Sequence, residues 1–434
     1  MQLVHEHVTS ALCASVFEDL RDKERARTWT LERLVGFWLA VAARAPRSLR
    51  AGFDELFGAS AAVEAGFTSS RSSFFERSQS LRWVFVQEVF RRFTTSILPQ
   101  CPARYSADAV AGLGHFEEIW AVDGTGLDRV AKRLNAVRDV DEVVLPGSPI
   151  ACYDLRRGIP RVLEYSERLL GGESLRLEEM LDQIPDGALL IADRGYSSLR
   201  MLGAVEERGL SAIMRMRRGY VMETLEELSA FEDEGCAVHD RLVQMGSKEG
   251  GKLIRIVEKV LADGTLLRLA TTVQDPARLS AEQILSLYRE RWSVERMFHD
   301  LKVVLNLRRF YAANTNAVAL QLFTSAIVYT ALRVTQDRIA EDHGLEPERL
   351  STAKLFPRAA SAHIRLVQSL RVFELVKKAN PDVELNEPSW AEAGLCSVPL
   401  SQLLLDKRTR PRRGKRPYSP KRRKSRPLSD FETP

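Results

Sequence analysis

Apolar residues recur at three-to-four spacing through Leu31–Ala43 and Leu81–Phe93, with Trp, Phe and Leu gathered on one side. That is the period of amphipathic helices, so residues 1–100 read as helical. Within them, Ala61–Gly66 followed by Thr68–Arg77 reads as a helix, a turn and a second helix rich in Ser, Arg and Phe. A DNA-reading helix-turn-helix has this order, and so does an ordinary helical hairpin. From Ile119 the apolar runs shorten to strand length. Ile119–Val122 ends in Asp123-Gly124-Thr125. Ile150–Tyr153 and Arg161–Tyr165 flank a turn at Arg156-Arg157-Gly158 and form a hairpin. A helical stretch, Ser174–Gln183, precedes the fully apolar strand Ala188–Ala192, which ends in Asp193-Arg194-Gly195-Tyr196. A helix (Ser198–Arg208) and a strand (Ala212–Met216) follow, which predicts an α/β fold with a mixed sheet flanked by helices. Arg217–Thr272 reads as a β-rich insertion of short alternating stretches. A long helix then begins at Ser280, an N-cap with Gln283 three residues on, and runs to about Leu305. More helices continue to about Leu405.

The most apolar later run, Ala317–Leu332, is interrupted by Gln321, Thr324, Ser325 and Thr330, and reads as a buried helix rather than a membrane span. No amino-terminal stretch has the basic, apolar and small-residue order of a secretory signal. Five scattered cysteines without a CxxC pair suit a reducing cytoplasm and argue against zinc. Charge is unevenly spread. Residues 407–434 hold twelve Lys/Arg and two acids, a charge of +10, so against a net +5 the rest carries −5. This stretch is nearly devoid of apolar residues and has four prolines from Pro411 to Pro427, and reads as a flexible basic tail for phosphate backbones, with a solvated or targeting tail as the lesser alternative.

The helix from Ser280 carries the chemistry. At about 100° per residue, Tyr288, Arg291, Glu295 and Lys302 share an arc of roughly 60°, beside the apolar stripe of Leu287, Val294, Met297, Phe298, Leu301 and Leu305. A polar stripe bordering the core tends to line a cleft, although Arg291–Glu295 is also an ordinary i,i+4 pair. Asp123 and Asp193 each follow an apolar strand and precede a glycine-containing turn. There a carboxylate projects from the sheet end where open α/β sheets bind ligands, and there turn and cap aspartates also occur. Two strand-end carboxylates and one helix carboxylate form an oxygen set suited to Mg2+.

Tyr288-x2-Arg291-x3-Glu295-x6-Lys302 resembles the signature of the DDE transposases of bacterial cut-and-paste insertion sequences, which have an RNase H-like core. Asp123-Gly124-Thr125 is similar to that family's first-aspartate segment and Ala192-Asp193-Arg194-Gly195-Tyr196 to its second. The resemblance spans residues 115–335, and the 102 residues from Asp193 to Glu295 leave room for the family's β-rich insertion at about 217–272. It implies a helical DNA-binding domain over 1–105, a catalytic core over 115–335, a helical region over 336–406 and the basic tail over 407–434. It also implies that Asp123, Asp193 and Glu295 are catalytic and hold two Mg2+ ions, with Mn2+ as a substitute. Tyr288, Arg291, Trp292 and Lys302 would contact DNA, with Trp292 stacking on a base or, alternatively, packed in the core. The implied partners are double-stranded DNA, as inverted-repeat ends and target, and a second copy of the chain on that DNA, in the bacterial nucleoid. The implied activity is excision, in this group commonly through a hairpin, and joining of 3′ ends. A nuclease that cuts without joining and a non-catalytic DNA-binding relative share the same pattern.

Overall fold

A computed structural model describes residues 2–405 apart from 26, 58–69, 102–112, 128–147, 167–172, 218, 247–250, 313, 381–385 and 387–398. The first segment of the helix-turn-helix reading and the basic tail lie outside the described residues.

Among the described residues six helices come first: α1 (Gln2–His7), α2 (Ser10–Leu20), α3 (Leu31–Arg44), α4 (Leu49–Phe57), α5 (Arg71–Ser80) and α6 (Val84–Ile97). Thr9, Thr30 and Ser70 accept N–H bonds at the starts of α2, α3 and α5, the usual work of N-cap hydroxyls. Strands β1 (Ile119–Gly124), β2 (Ser148–Asp154) and β3 (Ile159–Ser166) form an antiparallel meander. Next come α7 (Glu173–Met180), β4 (Leu189–Ala192), α8 (Leu199–Glu207) and β5 (Ser211–Arg215), with β4 parallel to both β1 and β5. The order β3-β2-β1-β4-β5, antiparallel on one side of β1 and parallel on the other, is the RNase H-like mixed sheet expected from the sequence.

The insertion holds β6 (Met222–Asp233), β7 (Cys236–Met245), β8 (Lys252–Val260) and β9 (Leu266–Thr271). It does not fold apart from the core sheet. β9 pairs antiparallel with β5, so the nine strands among the described residues form one sheet, ending β5-β9-β8-β7-β6. Helices α9 (Ala281–Glu290), α10 (Trp292–Val303), α11 (Thr315–Asp342) and α12 (Thr352–Ala379) complete the described chain.

Alternation along the strands sorts the core into two layers. Trp120, Val122, Leu190 and Ala192 pack with Met180, Leu202 and Val205 of α7 and α8. Ile119, Ala121, Leu189 and Ile191 face the opposite way, into a core shared with α9, α10, α11 and the amino-terminal helices. The helices of residues 2–97 thus close one face of the sheet. Helix α11, long and apolar enough to cross a bilayer, is wholly buried over its apolar stretch, as the interrupting polar residues indicated. Helix α5 points inward: Phe74 is fully buried among Trp29, Phe37 and Phe53, and Arg77 and Ser78 are buried beside it. Its outward residues are Arg71, Ser72, Glu76, Gln79 and Ser80.

The single helix expected from Ser280 to Leu305 is two helices. Ser280 and Gln283 form the expected capping box, but the helical bonding breaks at Arg291. There the Arg291 N–H turns to the Tyr288 carbonyl at 3.3 Å, and the Val294 N–H to the Arg291 carbonyl at 3.1 Å. These are i→i+3 bonds, the tighter turn of a 3-10 step, and they re-aim the chain between α9 and α10.

Candidate active site

The sheet places two carboxylates side by side. Val122 pairs with Ala192 across the parallel β1 and β4, so Asp123 and Asp193 are the next residues on neighbouring strands at their carboxyl ends. Adjacent strands lie about 4.8 Å apart. Both aspartates share the parity of Ile119, Ala121, Leu189 and Ile191, the residues facing α9 and α10. Two apolar strands in parallel register therefore deliver both carboxylates to the same helices.

The α9–α10 junction meets them. Tyr288 Oη donates to Asp193 Oδ1 at 2.8 Å. The Arg291 guanidinium donates through one Nη to Asp123 Oδ2 at 3.1 Å and through the other to Glu295 Oε1 at 2.7 Å, and it lies 5.6 Å from the centre of the Tyr288 ring. Lys302 Nζ donates to Thr125 Oγ1 and, at 3.3 Å, to the Gly126 carbonyl. Tyr288, Arg291, Glu295 and Lys302 thus all face the strand ends, although the helix that joins them is broken.

Burial and charge set the two aspartates apart. Burial pushes Asp123 up to about 6, and the neighbouring Glu295 and Asp193 charges add to this against Arg291 and the Gly124 N–H. Burial also acts on Asp193. There the Arg194 N–H, the Tyr288 hydroxyl, Arg291 and Arg215 outweigh it and hold this carboxyl below its ordinary value. Burial together with the Asp193 charge pushes the Tyr288 phenol up to about 12. Burial works against the Arg291 cation, but the surrounding anions raise it above an ordinary arginine.

Arg291 occupies the space between Asp123 and Glu295, its side chain only 7% exposed. Among the described residues no three carboxylate, imidazole or thiol groups already stand close enough to close around a metal ion. The donor chemistry nevertheless fits a hard divalent cation. Asp123 and Glu295 are already bridged by the Arg291 cation, and Asp193 stands on the neighbouring strand beside Asp123, so three carboxylates border a place that positive charge already occupies. Arg291 Nε is buried and has no hydrogen-bond partner among the described residues, so the guanidinium retains an unused donor.

Trp292 begins α10 with its indole 62% exposed, which disposes of core packing. His299 lies further along the same outer surface, its side chain 63% exposed. Arg215 was not singled out by sequence reasoning. Its guanidinium lies 3.9 Å from Asp193 Oδ1. The signal was present: β4 and β5 are parallel with Ala192 opposite Met214, which puts Arg215 beside Asp193. Arg217 donates to the Arg194 and Gly195 carbonyls at 3.1 Å each and braces the turn after Asp193.

Comparison with known proteins agrees with this reading. Residues 149–331 match a family described as "Transposase DDE domain", a stretch that contains Asp193 and Glu295 and begins after Asp123. A putative transposase, y4zB, of Sinorhizobium fredii is 29% identical over 192 residues, covering 42% of this chain and 51% of that protein. The probable transposase for insertion sequence element IS5377 of Geobacillus stearothermophilus is 23% identical over 77% of this chain and 84% of its own length. The transposase InsG for insertion sequence element IS4 of Escherichia coli is 22% identical over 45% of this chain and 44% of its own. The chain therefore spans about half the length of the Sinorhizobium and Escherichia proteins and most of the Geobacillus one. A cryo-EM structure of a piggyBac transposase synaptic complex with hairpin DNA superimposes over 89% of this chain and 84% of that one, at 11% identity and a TM-score of 0.38. With its mixed sheet and strand-end aspartates, the chain is similar over residues 149–331 to the transposase DDE domain and, in sequence, to transposases of insertion sequences.

Proposed function

We propose that this chain excises an insertion sequence and joins its 3′ ends to target DNA, using Asp123, Asp193 and Glu295 to hold two Mg2+ ions. The observation that carries the reading is the parallel register of Val122 and Ala192, which sets two carboxylates on neighbouring strand ends against the helix bearing Glu295. The metals would supply Lewis-acid charge that activates the attacking oxygen and stabilises the leaving one. The chemistry is an in-line displacement. An oxygen of water forms a new bond to phosphorus, the bond to the 3′-oxygen breaks, and that oxygen leaves with a proton as a 3′-hydroxyl. The freed hydroxyl repeats the displacement on target DNA.

The protein's own groups orient the parts. Tyr288 and Arg215 both hold the Asp193 carboxylate at its Oδ1. Arg291 keeps Asp123 and Glu295 together when no metal is bound, and would turn its guanidinium to a DNA phosphate near the cut once metal takes the two carboxylates. Lys302, anchored on Thr125 and Gly126, supplies a point charge on the other side. Exposed Trp292 is free to stack on a base turned out of the duplex.

Two element ends must be held together for this cycle, so the active species is a dimer on DNA in the nucleoid. Residues 1–105 contact the inverted repeats, 115–335 form the catalytic core around the insertion, 336–406 support it, and the basic 407–434 tail adds backbone affinity. Incubating purified protein, DNA bearing the element's ends and Mg2+ is expected to give joined strand-transfer products. Cleavage without joining would leave a nuclease, and inability to cut would defeat the reading.

A further inference from the structure

The outer surface of α10 carries a second row of side chains, of which only Trp292 already has a role at the site. Trp292, Arg296, His299 and Val303 fall at spacings of four, three and four, and all are exposed. At about 100° per residue they occupy an arc of roughly 60°, beside the Glu295 and Lys302 face and away from the Val294, Met297, Phe298 and Leu301 face that packs in the core. The row therefore starts at the candidate site and runs outward along the helix for about 16 Å.

Its chemistry has a direction. An aromatic face comes first, then two side chains with N–H donors, with Arg308 exposed just past the helix end. Asp300 flanks the row, 3.5 Å from His299 Nδ1, but its side chain is only 13% exposed and steadies the imidazole rather than presenting an anion. An exposed indole followed by donors at one-turn intervals matches an unpaired polynucleotide strand, which offers base faces for stacking and a phosphate for every few ångströms of its length. About 16 Å accommodates roughly three to five nucleotides at one phosphate per about 3.4 Å of strand.

We infer that the outward face of α10 is a track for an unpaired DNA strand leaving the catalytic site, with Arg296 and His299 as phosphate contacts. The inference rests on the DNA-cutting reading above. It adds a strand-binding surface beyond the three carboxylates and their tyrosine, arginine and lysine neighbours.

The test uses the full chain without divalent metal. The probes are a fluorescein-labelled duplex of arbitrary sequence with a short unpaired 3′ tail, and the same duplex with blunt ends. Arg296→Ala and His299→Ala, combined, are expected to weaken binding of the tailed probe several-fold. The same variant should reduce its salt slope by about one, for the lost phosphate contacts, and leave the blunt probe unaffected. Arg296→Lys with His299 intact should restore most of the affinity. Both substitutions are on exposed positions, and an unchanged Tm checks the fold. If the wild-type chain binds tailed DNA and the double variant binds it equally well, the track is refuted and the catalytic reading stands. If the wild-type chain binds neither probe, both fall. If the variant alters only the oligomeric state, α10 faces a protein and the inference is overturned.

Discussion

Tyr288 donates its hydroxyl to Asp193 across 95 residues of sequence, at 2.8 Å. This bond fastens the third element of the site to the second. Replacing Tyr288 with Phe removes the donor and leaves a half-buried carboxylate short of one partner. Such a loss typically costs about 1–3 kcal/mol. Denaturant unfolding should give that loss without a change in m-value. A variant as stable as the wild type would show that the bond holds nothing in place.

Arg291 stands between Asp123 and Glu295 where a cation is wanted. Without it, two carboxylates face each other and Asp123 loses the main group that opposes its raised pKa. Arg291→Ala should therefore lower the Tm in EDTA and respond to millimolar Mg2+ with a larger upward Tm shift than the wild type. Thermal melts with and without metal read both effects. Equal shifts in the two proteins would mean that Arg291 and the metal do not share the carboxylates.

The raised Asp123 carboxyl, about 6, also has a pH signature. A carboxyl whose folded pKa lies above its unfolded value binds its proton more tightly when folded. This group therefore costs folding stability progressively as the pH rises from the ordinary carboxyl range to about 6, in full above that, and not at all below the ordinary range. Mg2+ needs the ionised form, so metal affinity should fall as the pH drops below about 6. Calorimetric titration across that window measures it. An affinity that is flat between pH 5 and pH 7.5 would contradict the assignment of Asp123 as a ligand.

The insertion is tied to the site helices by a fully buried ion pair. Arg255 of β8 holds Asp240 of β7 at 2.6 Å and donates to the Leu279 carbonyl at 2.7 Å, just before the N-cap of α9. Asp240→Ala leaves an uncompensated buried cation, an effect of about 3–5 kcal/mol. Equilibrium unfolding should show it. A loss under about 1 kcal/mol would mean that the pair contributes little to anchoring the insertion.

Much of this arrangement is written in local pattern. Apolar strands ending in Asp123 and Asp193, the capping box at Ser280 and the three-to-four spacing of Leu287, Val294 and Leu301 are short-range signals, and the structure has the corresponding elements. Three features are not local. The break falls at Arg291, whose guanidinium contacts Asp123, 168 residues away, and a uniform helical wheel carries no trace of it. Joining β9 to β5 makes the insertion part of the main sheet, a pairing of residues more than fifty positions apart that strand alternation alone leaves undetermined. Arg215 became legible only when β4 and β5 were known to be parallel and in register. Conversely, Phe74, in a polar-looking segment, is buried because Trp29, Phe37 and Phe53 converge on it from elsewhere in the chain.

In the proposed mechanism Asp123, Asp193 and Glu295 together cut DNA while other groups bind it. Asp193→Asn and Glu295→Gln keep the shape of each side chain and remove its charge. In Mg2+ with DNA bearing the element's ends, both variants should bind within a few-fold of the wild type and lose strand cleavage by at least about a thousandfold, the scale expected for losing a metal-held reaction centre. Cleavage at wild-type rates by either variant would contradict the account.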